Sequence, residues 1–298
     1  MGSAPDREEY CMTRINRAVE LLAAGQPVYC ASVEELSYER GVEEAKTWAD
    51  YLTVDLEHHP FAPATLLAFM RGLVDGGPTR SGHRTPAVTV TLPMDGTDEH
   101  TVRACAWMIR QTLATGVHGL LLCHAETPGA ARAFVEAARY PFHAAITGLG
   151  VGRRGSGGQD LAAAIWGVSP VEYLEHADVW PLNPDGELML GLKLENRRAL
   201  DNAEASAAVP GLGFAEWGPG DMGMSFGYRD AHDPPYPPEM AAARARVKTA
   251  CERAGLAFLE MVRPDNVVAQ LDGGVRIGAA TREAAEIGRR HTKRTLPW

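Results

Sequence analysis

The stretch Tyr51-Leu52-Thr53-Val54-Asp55-Leu56-Glu57-His58-His59-Pro60 reads as a strand running into a polar turn. Tyr51–Leu56 is mostly apolar and β-branched, and four ionisable side chains crowd positions 55–59. A helix-like stretch, Ala64–Asp75, follows. The same unit of apolar run, turn and helix recurs along the chain. The strand-like runs are Pro27–Ser32, Tyr51–Leu56, Ala87–Leu92, His118–Cys123, Leu188–Leu194, Leu212–Trp217, Ala257–Val262 and Val275–Ile277. The helix-like stretches include Ala64–Asp75, Glu99–Ala114, Pro128–Arg139, Asp160–His176, Arg197–Ala207, Pro238–Ala254, Asp265–Asp272 and Arg282–Arg290. Eight strands alternating with helices predict an α/β fold, a closed (β/α)8 TIM barrel.

The 298 residues would suit two average domains, but barrels of this kind reach that length as one. One barrel domain over 1–298 is therefore expected, with 279–298 as a C-terminal helix and tail. The rival is an open doubly wound sheet, which would carry a Gly-rich loop after an early strand. The nearest stretch is Gly148-Leu149-Gly150-Val151-Gly152-Arg153-Arg154-Gly155. It sits mid-chain without strand–turn–helix context, so a flexible or anion-contacting loop is expected there. Gly227–Pro238, with Pro234-Pro235-Tyr236-Pro237-Pro238, cannot be helical through its prolines and is expected to lie over one end of the barrel. The basic tail ending in Leu296-Pro297-Trp298 reads as exposed, or as docked on a neighbouring subunit.

Apolar residues make up 45% and charged residues 22%, which excludes a long disordered chain. No apolar run approaches the roughly 18 residues of a membrane span, so no membrane partner is expected. Met1–Arg17 carries Asp6, Glu8 and Glu9 and no apolar core, unlike a secretory signal. The net charge of −9 argues against nucleic acid as a partner. Five scattered cysteines without a Cys-x-x-Cys pair argue against structural zinc and a disulfide framework. A reducing, cytoplasmic setting is the simplest reading.

In a barrel, chemistry belongs at the C-terminal ends of the strands. Strand alternation would put Asp55 and Glu57 on one face and His58 on the other until the strand ends. A histidine beside carboxylates can be held in one tautomer and tuned as a base. A helix N-terminus is the other reading of the acidic residues. The fifth run meets Glu195-Asn196, and the sixth leads into Gly218-Pro219-Gly220-Asp221. The glycines let backbone approach a ligand closely. Glu195 and Asp221 are two oxygen donors on adjacent strands, the kind of set that Mg²⁺ takes with water and substrate oxygens.

These residues resemble the HpcH/HpaI aldolase/citrate lyase superfamily. The resemblance rests on Asp55-Leu56-Glu57-His58, the strand ending in Glu195, and Gly218-Pro219-Gly220-Asp221-Met222-Gly223, and runs from about Ala31 to Ile277. It includes Arg139-Tyr140-Pro141 and the Arg154-Gly155 loop. The branch most similar is that of the class II 4-hydroxy-2-oxo-acid aldolases. The resemblance implies a pyruvate-type barrel lyase that cleaves a 4-hydroxy-2-oxo acid reversibly to pyruvate, or a related 2-oxo acid, and an aldehyde. It implies a divalent cofactor, Mg²⁺ or Mn²⁺ with Co²⁺ as a further candidate. Glu195 and Asp221 match the metal ligands, His58 the general base and Asp55 its orienting partner, with Glu57 beside them. Gly218, Pro219 and Gly220 match a substrate-binding turn. Homo-oligomers, hexameric or trimer-based, with the C-terminal helix exchanged between subunits, are also implied.

Four departures from the family pattern stand out. Thr89-Val90-Thr91-Leu92-Pro93 has no Arg where the family carries one after its third strand. Lys193 replaces a Gln, and Cys123-His124 replaces Val-Pro. The chain also has extra residues between its third and fourth strands. Lys193 is expected to supply the missing charge. His124 reads as a further substrate-binding residue or as a satisfied core histidine. Arg153 or Arg154 reads as reaching the mouth, or as capping a loop. Two other functions remain: a lyase acting on an acyl-CoA ester, which needs a basic pocket, and a barrel that binds a 2-oxo acid without turnover.

Overall fold

The computed structural model describes residues 14–294. The expectations on the N-terminal segment and on Leu296-Pro297-Trp298 fall largely or wholly outside these residues. The strands are β1 (Val28–Val33), β2 (Tyr51–Asp55), β3 (Ala87–Asp95), β4 (Gly119–Cys123), β5 (Val179–Trp180), β6 (Leu188–Lys193), β7 (Phe214–Glu216), β8 (Ala257–Val262) and β9 (Val275–Ala280). The first helices are α1 (Arg17–Ala23), α2 (Tyr38–Glu44), α3 (Pro63–Asp75), α4 (Glu99–Ala114), α5 (Pro128–Ala138), α6 (Gln159–Trp166) and α7 (Pro170–His176). The remainder are α8 (Arg197–Asp201), α9 (Ala203–Ala207), α10 (Pro219–Phe226), α11 (Pro238–Ala254), α12 (Val267–Asp272) and α13 (Arg282–His291).

Every strand pairing is parallel. β4 pairs with β6, and β9 returns to β1, so eight strands close into a (β/α)8 barrel. The short β5 lies beside the start of β6. The expected strands coincide with these eight. The expected helix Asp160–His176 is two, because Gly167 turns left-handed (φ +76°) and Ser169 starts α7 with a capping box. Arg197–Ala207 is also two helices, separated at Asn202, whose side chain binds the carbonyls of Glu126 and Arg198.

Period-two alternation sorts the barrel interior. Val28, Cys30, Tyr51, Ala87, Leu121, Met189, Phe214, Ala257, Leu259 and Ile277 pack into one apolar plug. A Cβ on Gly191 would meet the Phe214 ring at 2.3 Å, so glycine is what lets that ring cross the lumen. Above the plug the lumen turns polar. Ser32, Thr53, Asp55, Thr89, Thr91, Lys193 and Glu216 line a cavity of about 190 Å³.

The Gly-rich stretch follows a helix, not a strand, and folds back on α5. Gly150 N–H donates to Glu136 Oε1 at 2.8 Å, and Arg154 N–H donates to the Arg139 carbonyl at 2.9 Å. The anion that this loop contacts is the chain's own Glu136. Gly227–Pro238 lies over the mouth end, where Tyr236 meets Trp217 edge-on at 4.9 Å and Asp233 pairs with Arg263. Cys30, Cys105, Cys123 and Cys251 are free thiols, and among the described residues no helix is long and apolar enough to cross a membrane.

Within the chain, α13 packs on the barrel. Gly288 presses against the Tyr29 hydroxyl, where a Cβ would stand 2.0 Å away. Buried Asp50 accepts from Arg289 at 3.0 Å, from Arg294 at 2.7 and 2.9 Å and from the Tyr29 N–H at 2.9 Å. Asp50→Ala is expected to destabilise the fold by about 3–5 kcal/mol, because it leaves buried guanidinium groups without their carboxylate. Urea unfolding reads this; a loss under about 1 kcal/mol would mean that water replaces the carboxylate.

Candidate active site

β2 stops at Asp55, and the turn after it is built by the Asp55 carboxylate. Oδ1 accepts the N–H groups of Glu57 (2.8 Å) and His58 (3.1 Å), while Oδ2 meets His58 Nδ1 at 2.8 Å. With Asp55 accepting from Nδ1–H, Nε2 of His58 keeps its lone pair. The hydrogen bond to Asp55 raises the His58 pKa. Partial burial pushes the Asp55 carboxyl up, but the bonds from His58 and the turn outweigh it and hold it low. Strand parity would have separated His58 from Asp55; because the strand ends first, Asp55, Glu57 and His58 gather in one cluster.

Glu195 follows β6 and is wholly buried. Its Oε1 accepts the His124 N–H at 2.9 Å. Its Oε2 has no hydrogen-bond partner and lies 3.4 Å from Lys193 Nζ. Burial pushes this carboxyl up to about 8, against the pull of Lys193 and the His124 N–H. Gly218 stands over it in a left-handed conformation (φ +49°), where a Cβ would lie 2.4 Å from Oε2. Asp221 sits in the first turn of α10, where a carboxylate suits the helix dipole. One ligand atom from each of Glu57, His124, Glu195 and Asp221 falls within 4.8 Å of all the others. Pro219 lines the neighbouring cavity described below, and Gly220 has open space around it.

Lys193 points up the lumen but is not a free cation. Its Nζ donates to Glu57 Oε2 at 2.6 Å. Burial alone would lower its pKa, yet Glu195, Glu216 and Glu57 raise it further, so it stays charged. On β3, Thr89 and Thr91 face the lumen, and neither carries a charge there. Sequence reasoning missed Glu216, an inward carboxylate pushed up by burial beside Lys193. The signal was present, since Glu216 shares parity with inward Phe214. It also missed Asn196, which caps α8 through Oδ1 and reaches Glu126 and His124 through Nδ2.

Arg154 does not reach the mouth. Its side chain is buried against Tyr140, 4.6 Å from the ring centroid, and donates to the Tyr173 hydroxyl at 2.6 Å. Tyr173 in turn touches the Leu113 carbonyl at the end of α4, on the opposite end of the barrel. The backbone bond between Arg154 and Arg139 folds the loop that way. A second cavity of about 450 Å³ opens beside Glu216 and Pro219 and runs outward past Trp217 and Tyr236 to Arg244 and Arg263.

The model of the family described as HpcH/HpaI aldolase/citrate lyase matches residues 43–284. The chain belongs to that family. Among HpcH/HpaI relatives, a hydroxypyruvate/pyruvate aldolase from Pseudomonas aeruginosa is 30% identical over 70% of this chain and 65% of its own length. The chain thus spans just under two thirds of that relative. A 2-keto-3-deoxy-L-rhamnonate aldolase from Klebsiella pneumoniae is 28% identical over 78% of this chain and 75% of its own. Aldolases are lyases, and both names are of that kind. An HpcH/HpaI family structure from Burkholderia cenocepacia superposes with a TM-score of 0.70 at 23% identity, covering 93% of this chain and 96% of that one. It supports the barrel fold.

Because the Gly218 site is left-handed and has no room for a methyl group, Gly218→Ala is expected to cost about 1–3 kcal/mol. Denaturant melts measure that loss, and an unchanged midpoint would show that Glu195 has room to move.

Proposed function

We propose that the chain is a class II aldolase that cleaves a 4-hydroxy-2-oxo acid reversibly to pyruvate, or a related 2-oxo acid, and an aldehyde. The observation that carries this reading is the buried Glu195 carboxylate, clustered with Asp221 and set beside the Asp55–His58 pair. The residues fit a divalent cation. Glu195 Oε2 has no hydrogen-bond partner, and it lies with Glu57, His124 and Asp221 in one cluster of potential ligand atoms. Glu195 and Asp221 would hold the ion, with Mg²⁺ or Mn²⁺ expected. When bound, it supplies Lewis-acid stabilisation of negative charge on the oxygens of the 2-oxo acid.

The remaining work falls to the chain's own groups. His58 takes the proton of the C4 hydroxyl at Nε2 as the C3–C4 bond breaks and the aldehyde leaves. Asp55 fixes the imidazole's orientation and stabilises the imidazolium. The N–H groups of the Gly218–Gly220 turn, at the start of α10, offer a place for the substrate carboxylate. The acyl-CoA reading needs free basic side chains. In the large cavity Arg244 is paired with Glu260 and Arg263 with Asp233, which counts against it. Binding without turnover needs no base, and the Asp55–His58 pair speaks against that.

With Mg²⁺ or Mn²⁺ present, the protein is expected to exchange the methyl protons of pyruvate with D₂O, and a chelator should stop this. No exchange with either ion would sink the aldolase reading. His58→Ala should lower cleavage by about 10²–10⁴-fold. The Asp55 bond favours protonated His58, so the base is freed only above its ordinary value of 6.5. Activity therefore rises with pH through a raised midpoint, and Asp55→Asn should move that midpoint to lower pH; kcat/KM profiles of the two proteins give the comparison.

A further inference from the structure

We propose that His124 is a third protein donor to the cation, and that its imidazole makes the site prefer transition-metal dications such as Co²⁺ and Zn²⁺ over Mg²⁺. This rests on the metal reading above and goes beyond the two carboxylates on which that reading depends. β4 ends at Cys123, and the next residue turns sharply. His124 has φ +43°, and only one other non-glycine residue, Lys293, has positive φ among the described residues. A left-handed histidine is strained, and such strain persists only where surrounding contacts enforce it. Here the enforcing contact is the His124 N–H bond to Glu195 Oε1. The turn that makes this bond also carries the ring to the same carboxylate.

The ring is not a satisfied core histidine. It is about a quarter exposed to the mouth, at 27%. Nδ1 lies 3.5 Å from Glu195 Oε1, and Nε2 lies 3.6 Å from Glu57 Oε1. Asn196 Nδ2 also lies 3.5 Å from Nδ1. All three distances exceed those of good hydrogen bonds. One ring nitrogen ligates one ion at a time, and either carboxylate distance, Nδ1 to Glu195 Oε1 or Nε2 to Glu57 Oε1, is close to the spacing of two donors that share an ion. Two ligands each about 2.1 Å from a cation stand about 3.0 Å apart at a right angle and about 3.4 Å apart at the tetrahedral angle.

The neighbouring charges agree. Lys193 holds Glu57 by Oε2 and leaves Oε1 turned toward His124. Three carboxylates, Glu57, Glu195 and Asp221, gather there against the single ammonium of Lys193, a setting that favours a bound cation. The buried Glu195 Oε2 has no hydrogen-bond partner, with Lys193 Nζ 3.4 Å away, and is independently suited to bind a cation. Mg²⁺ favours oxygen donors and keeps its waters, whereas imidazole nitrogen suits Co²⁺, Ni²⁺ and Zn²⁺. Replacing a water by His124 therefore shifts selectivity toward the later metals.

The test uses the metal-free full-length protein titrated with Co²⁺ and, separately, with Mg²⁺, in competition with a chromophoric chelator. Visible absorption of the Co²⁺ form supplies a second readout. His124→Asn tolerates the left-handed backbone, and His124→Gly relieves it, so both variants should melt at or above the wild-type temperature. The expected result is a loss of Co²⁺ affinity of about tenfold or more, with Mg²⁺ affinity changed by less than about threefold. The Co²⁺ bands should also shift. Equal weakening of both ions, or an unaltered Co²⁺ affinity and spectrum, would overturn the role of His124 and leave the two-carboxylate site standing. Failure of the wild-type protein to bind either ion would overturn the metal reading together with this one.

Discussion

A buried carboxylate with one oxygen unpartnered is expensive to fold, and the mouth of this barrel is organised around one. Glu195 loses its hydration entirely, and Lys193 and one backbone N–H offset only part of that cost. Its neighbours take unusual forms to accommodate it. Gly218 gives up a side chain so that the next strand's turn can lie against it. His124 adopts a backbone conformation that histidine ordinarily avoids. Lys193 is drawn up the lumen and then shared with Glu57. Each is a local compromise, and together they keep an anionic pocket where bulk solvent cannot compete.

Strand alternation decides how that pocket is reached. The same parity that sends Cys30, Tyr51, Leu121 and Phe214 into the apolar plug sends Thr53, Asp55, Lys193 and Glu216 into the polar layer above. The plug gives the polar layer a dry floor. Charges buried above it interact in a low-dielectric setting, so the Lys193–Glu57 bond does more than it would on an open surface.

The eight strands were legible because buried parallel strands are continuous apolar runs with few other readings. The positions of Asp55, His58, Glu195 and Asp221 followed from the rule that barrel chemistry sits just past such runs. Helices α6 and α7 read as one stretch by overall composition, although Gly167, Ser169 and Pro170 carry the stop, cap and start signals that divide them. Sequence alone could not decide between the two placements of Arg154 for a related reason. Whether a loop arginine faces the mouth or the underside depends on which backbone groups the loop pairs with, and Arg139 lies 15 residues away in sequence. His124 could be noticed as a departure, but its geometry arises from a contact with Glu195, 71 residues on. Glu216 was hidden in plain view, since a carboxylate inside a short strand looks like a solvent-facing residue until the strand's inner face is known.

The seam between β9 and β1 rests on only three paired residues, Val28 with Ile277, Tyr29 with Gly278 and Cys30 with Ala279. Asp50 reinforces it by binding the Tyr29 backbone on one side and Arg289 and Arg294 on the other. All of the proposed site residues precede residue 222, yet the ring that holds them in register cannot close until the last strand and helix have been made. During synthesis the first three quarters of the chain must wait as an open, edge-exposed sheet. Its final loop closure spans nearly the whole sequence, which makes ring closure a slow step and leaves unpaired strand edges exposed to other chains until it is complete.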